Sequence, residues 1–137
     1  MDCKEFIKQT ANVVRRAYDF SIKKRKQGIA ELEDDLDTDA LKRGDVFELG
    51  IRFMLEGAGL ECIEGILSGI ISREKDEYTR RLKTIQKAAV TCIQENTNSF
   101  ILLNILFSYI DTDEKKEARG FLTDGAFKEY FDLFYGV

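Results

Sequence analysis

The residues best placed to do chemistry in this chain are its charged ones, and they are sorted by sign along the sequence. Residues 1–30 hold eight Lys or Arg against three Asp or Glu, and Lys23-Lys24-Arg25-Lys26 is an unbroken basic run. Residues 31–39 then hold six acids and no base. If one helix carries both blocks, it shows a partner two patches of opposite sign within about three turns. Such a surface holds a complementary charged helix in register and rejects one of the wrong polarity. The plainer reading is a solvated face with neighbouring salt bridges, each worth about 0.3–0.5 kcal/mol.

Other chemistries fit less well. Asp35-x-Asp37-x-Asp39 resembles the start of a calcium loop, but Ala40 and Val46 stand where that loop needs Gly and Glu. Histidine is absent, which removes imidazole from any triad or metal site. An enzyme built on paired carboxylates such as Asp35 and Asp37 would lack a nucleophile elbow or phosphate loop beside them. Cys3, Cys62 and Cys92 form no Cys-x-x-Cys pair, so neither a zinc site nor a redox dithiol is signalled. Gly57-Ala58-Gly59 follows no strand and reads as a helix-breaking turn, not a dinucleotide fingerprint. Gly65 and Gly69 have the spacing of close helix approach, and internal packing is the expectation. No cofactor or metal is predicted.

The elements that must position the charges read as helices throughout. Proline, the strongest helix breaker, is absent, and Leu, Ile, Ala, Glu and Lys abound. Apolar or small residues at Cys3, Phe6, Ile7, Thr10, Val13, Val14, Ala17, Tyr18, Ser21 and Ile22 have the three-and-four spacing of an amphipathic helix. That pattern predicts a long helix over residues 3–30, running on through Gly28 to Leu32. Asp34 to Asp39 reads as a helix end, loop and N-cap region. Further helices are predicted over 41–56, from Leu60 on to Arg81, and over 79–95, 98–110 and 113–135. The last is rich in aromatics (Phe121, Phe127, Tyr130, Phe131, Phe134, Tyr135), read chiefly as core, with a partner surface as the alternative. The fold class expected is an all-α single domain, residues 1–137, of five or six helices.

The stretch Phe100 to Ile110 is interrupted by Asn104 and Ser108 and falls short of the ~20 apolar residues a span needs. A core helix is expected there, with no membrane insertion. Asp2, Lys4 and Glu5 leave the start without the apolar core of a secretion signal, and free cysteines suit a reducing cytoplasm. The net charge of −4 offers nucleic acid no broad attraction, and the acids after the basic run would repel it.

The pattern Arg25-x-x-Gly28-x-x-x-Leu32-Glu33 resembles the first cytoplasmic helix of MotA, the stator subunit of the bacterial flagellar motor. The likeness extends downstream over about residues 15 to 80. Phe47 to Leu55 ends in Glu56-Gly57, and Cys62 to Ile71 leads to Glu74, Asp76 and Glu77, in the family's order. In that family the motif's arginine and glutamate engage a charged helix of the rotor protein FliG. The resemblance therefore implies a cytoplasmic interaction module at the flagellar basal body. Arg25 and Glu33 would be its principal contacts, with Lys24, Lys26, Glu31 and Asp34 as electrostatic support. The implied partner is a FliG-like rotor protein or a MotA-like stator subunit, and a homo-oligomer is consistent with stator rings. Ion conduction is not implied. The region matching the family's proline-bearing, glycine-rich membrane helices, about Ala88 to Ile110, has no proline and is too short. A helical scaffold or regulatory adaptor unrelated to motility is the alternative.

Overall fold

The first helix exists because its apolar residues recur on one stripe. The computed structural model describes residues 1–134, and in it Cys3–Gln27 form α1. Phe6, Ile7, Ala11, Val14 and Ala17 are essentially inaccessible. Asp2 starts the helix, its side chain accepting from the Glu5 amide at 2.8 Å. Gly28 ends it. Its φ of 94° lies where L side chains are strained, and its amide closes on the Lys24 carbonyl at 2.9 Å.

This stop corrects the expectation of a helix continuing to Leu32. After the reversal at Gly28, Ile29–Asp35 form a separate 3₁₀ segment folded back along α1, pinned by the fully buried Leu32. The stretch expected as one helix over 41–56 is also divided. A short α2 (Thr38–Lys42) ends before Gly44, whose φ is 81°, and Asp45 caps α3 (Val46–Leu55). The segment after Leu60 stops at Ser72 as α4 (Leu60–Ser72), and Asp76 opens α5 (Glu77–Gln94). Asn98 caps α6 (Ser99–Phe107), and Asp111 with Glu114 makes a capping box for α7 (Thr112–Arg119). A turn after Gly120 separates α7 from α8 (Gly125–Phe134), where a single helix over 113–135 was expected. Tyr135 lies outside the described residues.

Among the described residues the fold is all-helical, with nine helical elements where five or six were expected. Short capped pieces replace the longer predicted runs. No helix among the described residues is long and apolar enough to cross a membrane.

The buried side chains form one cluster around α5, which packs against α1, α3, α4 and α6. Leu82, Ile85, Ala89, Val90 and Ile93 supply its inner face. The approach of α3 to α5 is close enough to require glycine: a Cβ on Gly50 would sit 2.4 Å from a Val90 methyl. At the far end Phe107 meets Tyr130 and Phe131 with ring centroids 5.5 and 5.1 Å apart, fastening α8 to α6.

Candidate partner interface

The charged residues singled out in the sequence fall on two elements that point different ways. Arg25 lies in the last turn of α1, and its guanidinium donates to the Ser99 hydroxyl at the start of α6 and to the Ser21 carbonyl. Glu33 lies on the 3₁₀ segment and accepts from Arg52 of α3 at 3.3 Å. Arg52 also binds Glu56 at the C-cap of α3. The two groups are exposed, but each already has an intramolecular partner. A single rod displaying both charges on one face is therefore not what folds, because Gly28 turns the chain between them.

The neighbouring charges divide in the same manner. Lys24 turns inward: its ammonium donates to the carbonyls of Ile93 (2.8 Å) and Gln94 (3.2 Å), satisfying groups at the end of α5. Burial pushes its pKa down. Lys23 reaches back to Asp35 at 2.6 Å, an ion pair that ties α1 to the 3₁₀ segment, and the hydrogen bond to Asp35 raises its pKa. Lys26, Glu31 and Asp34 are exposed and make no salt bridge among the described residues. Of the six predicted contacts, these three alone leave their charge uncommitted.

Arg25 is nonetheless held beside something the sequence did not separate from the core. Ser99 is followed by Phe100 and Ile101, 38% and 49% exposed. Leu133 and Phe134 at the end of α8 are 71% and 44% exposed, and the Phe100 and Phe134 rings stack edge-on at 4.6 Å. A groove of about 300 Å³ opens here, lined among others by Tyr18, Ser99, Phe100, Leu103, Tyr130 and Leu133. Exposed apolar side chains grouped in this way mark contact surfaces. In the segment from Phe100 to Ile110 the polar breaks fall at Asn104 and Ser108, so nothing in the sequence marked Phe100 and Ile101 as outer-facing. In the aromatic terminal segment the structure divides the residues: Phe127, Tyr130 and Phe131 are buried, whereas Phe121 and Phe134 are exposed.

The acids weighed for catalysis are occupied structurally. Asp37 caps α2 by accepting from the Ala40 amide at 3.0 Å, and Asp35 holds Lys23. No group of three or more potential metal-ligating side chains occurs among the described residues.

The most enclosed carboxylate is Glu48, whose side chain is 3% exposed. It is paired with Arg16 and accepts from the Asp37 amide at 3.2 Å. Burial raises its pKa, with the Arg16 charge opposing. Beside it Asp45 accepts from Gln86 of α5 at 2.8 Å. This knot joins α1, the start of α2, α3 and α5, which is a tethering role.

Comparison with protein families, curated proteins and solved structures gives no match.

Proposed function

We propose that this chain is a protein-interaction module that receives a helical partner at the basic end of α1 and the apolar surface beside it. The observation that carries the reading is the placement of Arg25 against Ser99, next to Phe100, Ile101, Leu133 and Phe134. An exposed aromatic and aliphatic group with a cation at its edge suits an amphipathic helix whose apolar anchors are flanked by acids. Arg25 supplies the positive edge at Ser99; Lys26, Glu31, Glu33 and Asp34 are further exposed charges for the partner to meet.

The resemblance of residues 15 to 80 to the MotA cytoplasmic region names the candidate partner. It is a FliG-like rotor protein or a MotA-like stator subunit, with binding and no ion conduction. A scaffold or adaptor outside motility is the second reading. It is favoured by the internal engagement of Lys24 and Glu33, which leaves less of the motif's charge for a rotor.

Titration calorimetry of the chain against a FliG-type rotor domain separates the two. The motor reading expects binding that weakens with salt, falls about tenfold or more in Arg25→Glu, and recovers when an acid of the rotor helix is reversed. Binding by neither a rotor nor a stator domain refutes the motor reading.

A further inference from the structure

We propose that the cleft between the middle of α1, α2 and the start of α3 binds a small zwitterion of the amino-acid class. Its ammonium would sit on the floor at Gln86 and Glu48, and its carboxylate at Arg43. The cleft holds about 280 Å³ and shares no lining residue with the groove beside Arg25. Gln86 of α5 and Glu48 of α3, 5% and 2% exposed, are its most enclosed polar residues. Tethering of the helices accounts for only part of what these two groups can do.

Gln86 donates from Nε2 to Asp45 at 2.8 Å, and since a carboxylate only accepts, this bond fixes which end of the amide is oxygen. The Oε1 then receives no hydrogen bond from any described residue, yet it is not sealed into the core. An amide so enclosed is ordinarily satisfied at both ends. The missing donor can enter only through the cleft. Glu48 adds charge to that demand. Its oxygens take one bond each, from Arg16 and from the Asp37 amide, which leaves each a free lone pair. Burial holds its carboxyl above the usual range even with Arg16 beside it, so its negative charge is incompletely matched. Asp37 and Asp45 also line the cleft, against Arg16 and Arg43, so acids outnumber cations. A ligand group that both donates and is positive answers this floor, and an ammonium is the small one.

The mouth has the opposite need. Arg43, exposed at the C-cap of α2, makes no salt bridge or side-chain hydrogen bond among the described residues. An open guanidinium fork is matched by a carboxylate. Val13 and Phe47 give the cleft an apolar wall for a short carbon skeleton. A plain amine would leave Arg43 unused, and a plain carboxylate would leave the floor unanswered. One small molecule carrying both groups satisfies the two ends together.

Titration of the whole chain with each of the twenty common L-amino acids, followed by amide NMR spectra, tests this. At least one should bind with a Kd of about 1 mM or below and shift the amides of residues 9–16, 37–48 and 86. For that amino acid, the methyl ester lacks the carboxylate charge and the N-acetyl derivative lacks the ammonium. Each should bind about tenfold or more weakly than the parent. Arg43→Gln, at an exposed position, should weaken the parent by a similar factor. Gln86→Met keeps the side-chain volume but removes Oε1, and should weaken it likewise, with circular dichroism checking that the helices persist. Failure of all twenty to bind overturns the proposal. So does a ligand whose ester or acetyl form binds equally well, one indifferent to Arg43→Gln, or one whose shifts lie on another face.

Discussion

Replacing Gly50 with alanine probes a contact between α3 and α5 that leaves no room for a Cβ. The added Cβ would lie 2.4 and 2.7 Å from the two Val90 methyls and 3.1 Å from the Val90 Cβ. Ordinary carbon contacts need about 3.5–4.0 Å, so the overlap exceeds an ångström. Valine cannot swing away, because its branched side chain has one favoured rotamer in a helix. Either α3 shifts from α5 or the side chains strain, at a cost of about 1–3 kcal/mol. Alanine returns up to about 1 kcal/mol through helix propensity. The net expectation is a loss of about 1–2 kcal/mol, or roughly 4–8 °C in Tm for a chain of this size. Urea unfolding followed by circular dichroism measures it.

A double-mutant cycle with Val90→Ala isolates this contact. In wild type that truncation opens a small cavity and costs about 2 kcal/mol; in the Gly50→Ala background it relieves the clash and should cost less than half as much. A Gly50→Ala variant as stable as wild type, or two substitutions that simply add, would refute the close packing of α3 on α5.

The ionisable groups predict pH effects of opposite sign. Glu114 accepts from both terminal nitrogens of Arg81 at 2.7 and 2.8 Å, and this bond holds its pKa below the usual 4.5. Its contribution is full above pH 4.5 and lost as pH falls through the folded value, so Glu114→Gln should cost about 1–2 kcal/mol at neutral pH and flatten the acid limb of the stability curve. Glu48 is pushed above 4.5 by burial, so its protonated form favours folding; that contribution is full below 4.5 and lost as pH rises through the folded value. In Glu48→Gln this loss should vanish, and an unchanged slope above pH 4.5 would contradict it. Cys62 is exposed whereas Cys92 is buried with its thiol pKa raised by burial, so alkylation of native protein should modify Cys62 quickly and Cys92 only on unfolding.

Much of the helical scaffold could be read from spacing alone. In α1, every position from Phe6 to Ser21 chosen for the core is buried except Tyr18, which is half-buried. The missed boundaries share a cause. Gly28 and Gly44 were tolerable as helix residues by propensity, yet both take positive φ, a choice imposed by where the next element must pack. Leu32 illustrates this: its burial draws the 3₁₀ segment back along α1 and outweighs the continuing helical pattern. For the candidate interface, Arg25 was legible as a charge. Its apolar neighbours were not, because Phe100 and Leu133 are distant in sequence and become adjacent only when α8 closes on α6. Lys24 looked equivalent to Lys26. Nothing local distinguishes them; the open carbonyls at the end of α5 do.

The contact surface proposed beside Arg25 is tested most directly by calorimetry against a FliG-type rotor domain with two variants, Phe100→Ser and Ile101→Ser. Each truncation is expected to weaken association about tenfold or more, with circular dichroism checking that the helices persist, since Phe100 also packs against Phe134. A rotor domain that binds wild type and both variants equally would place recognition elsewhere on the molecule and contradict this surface.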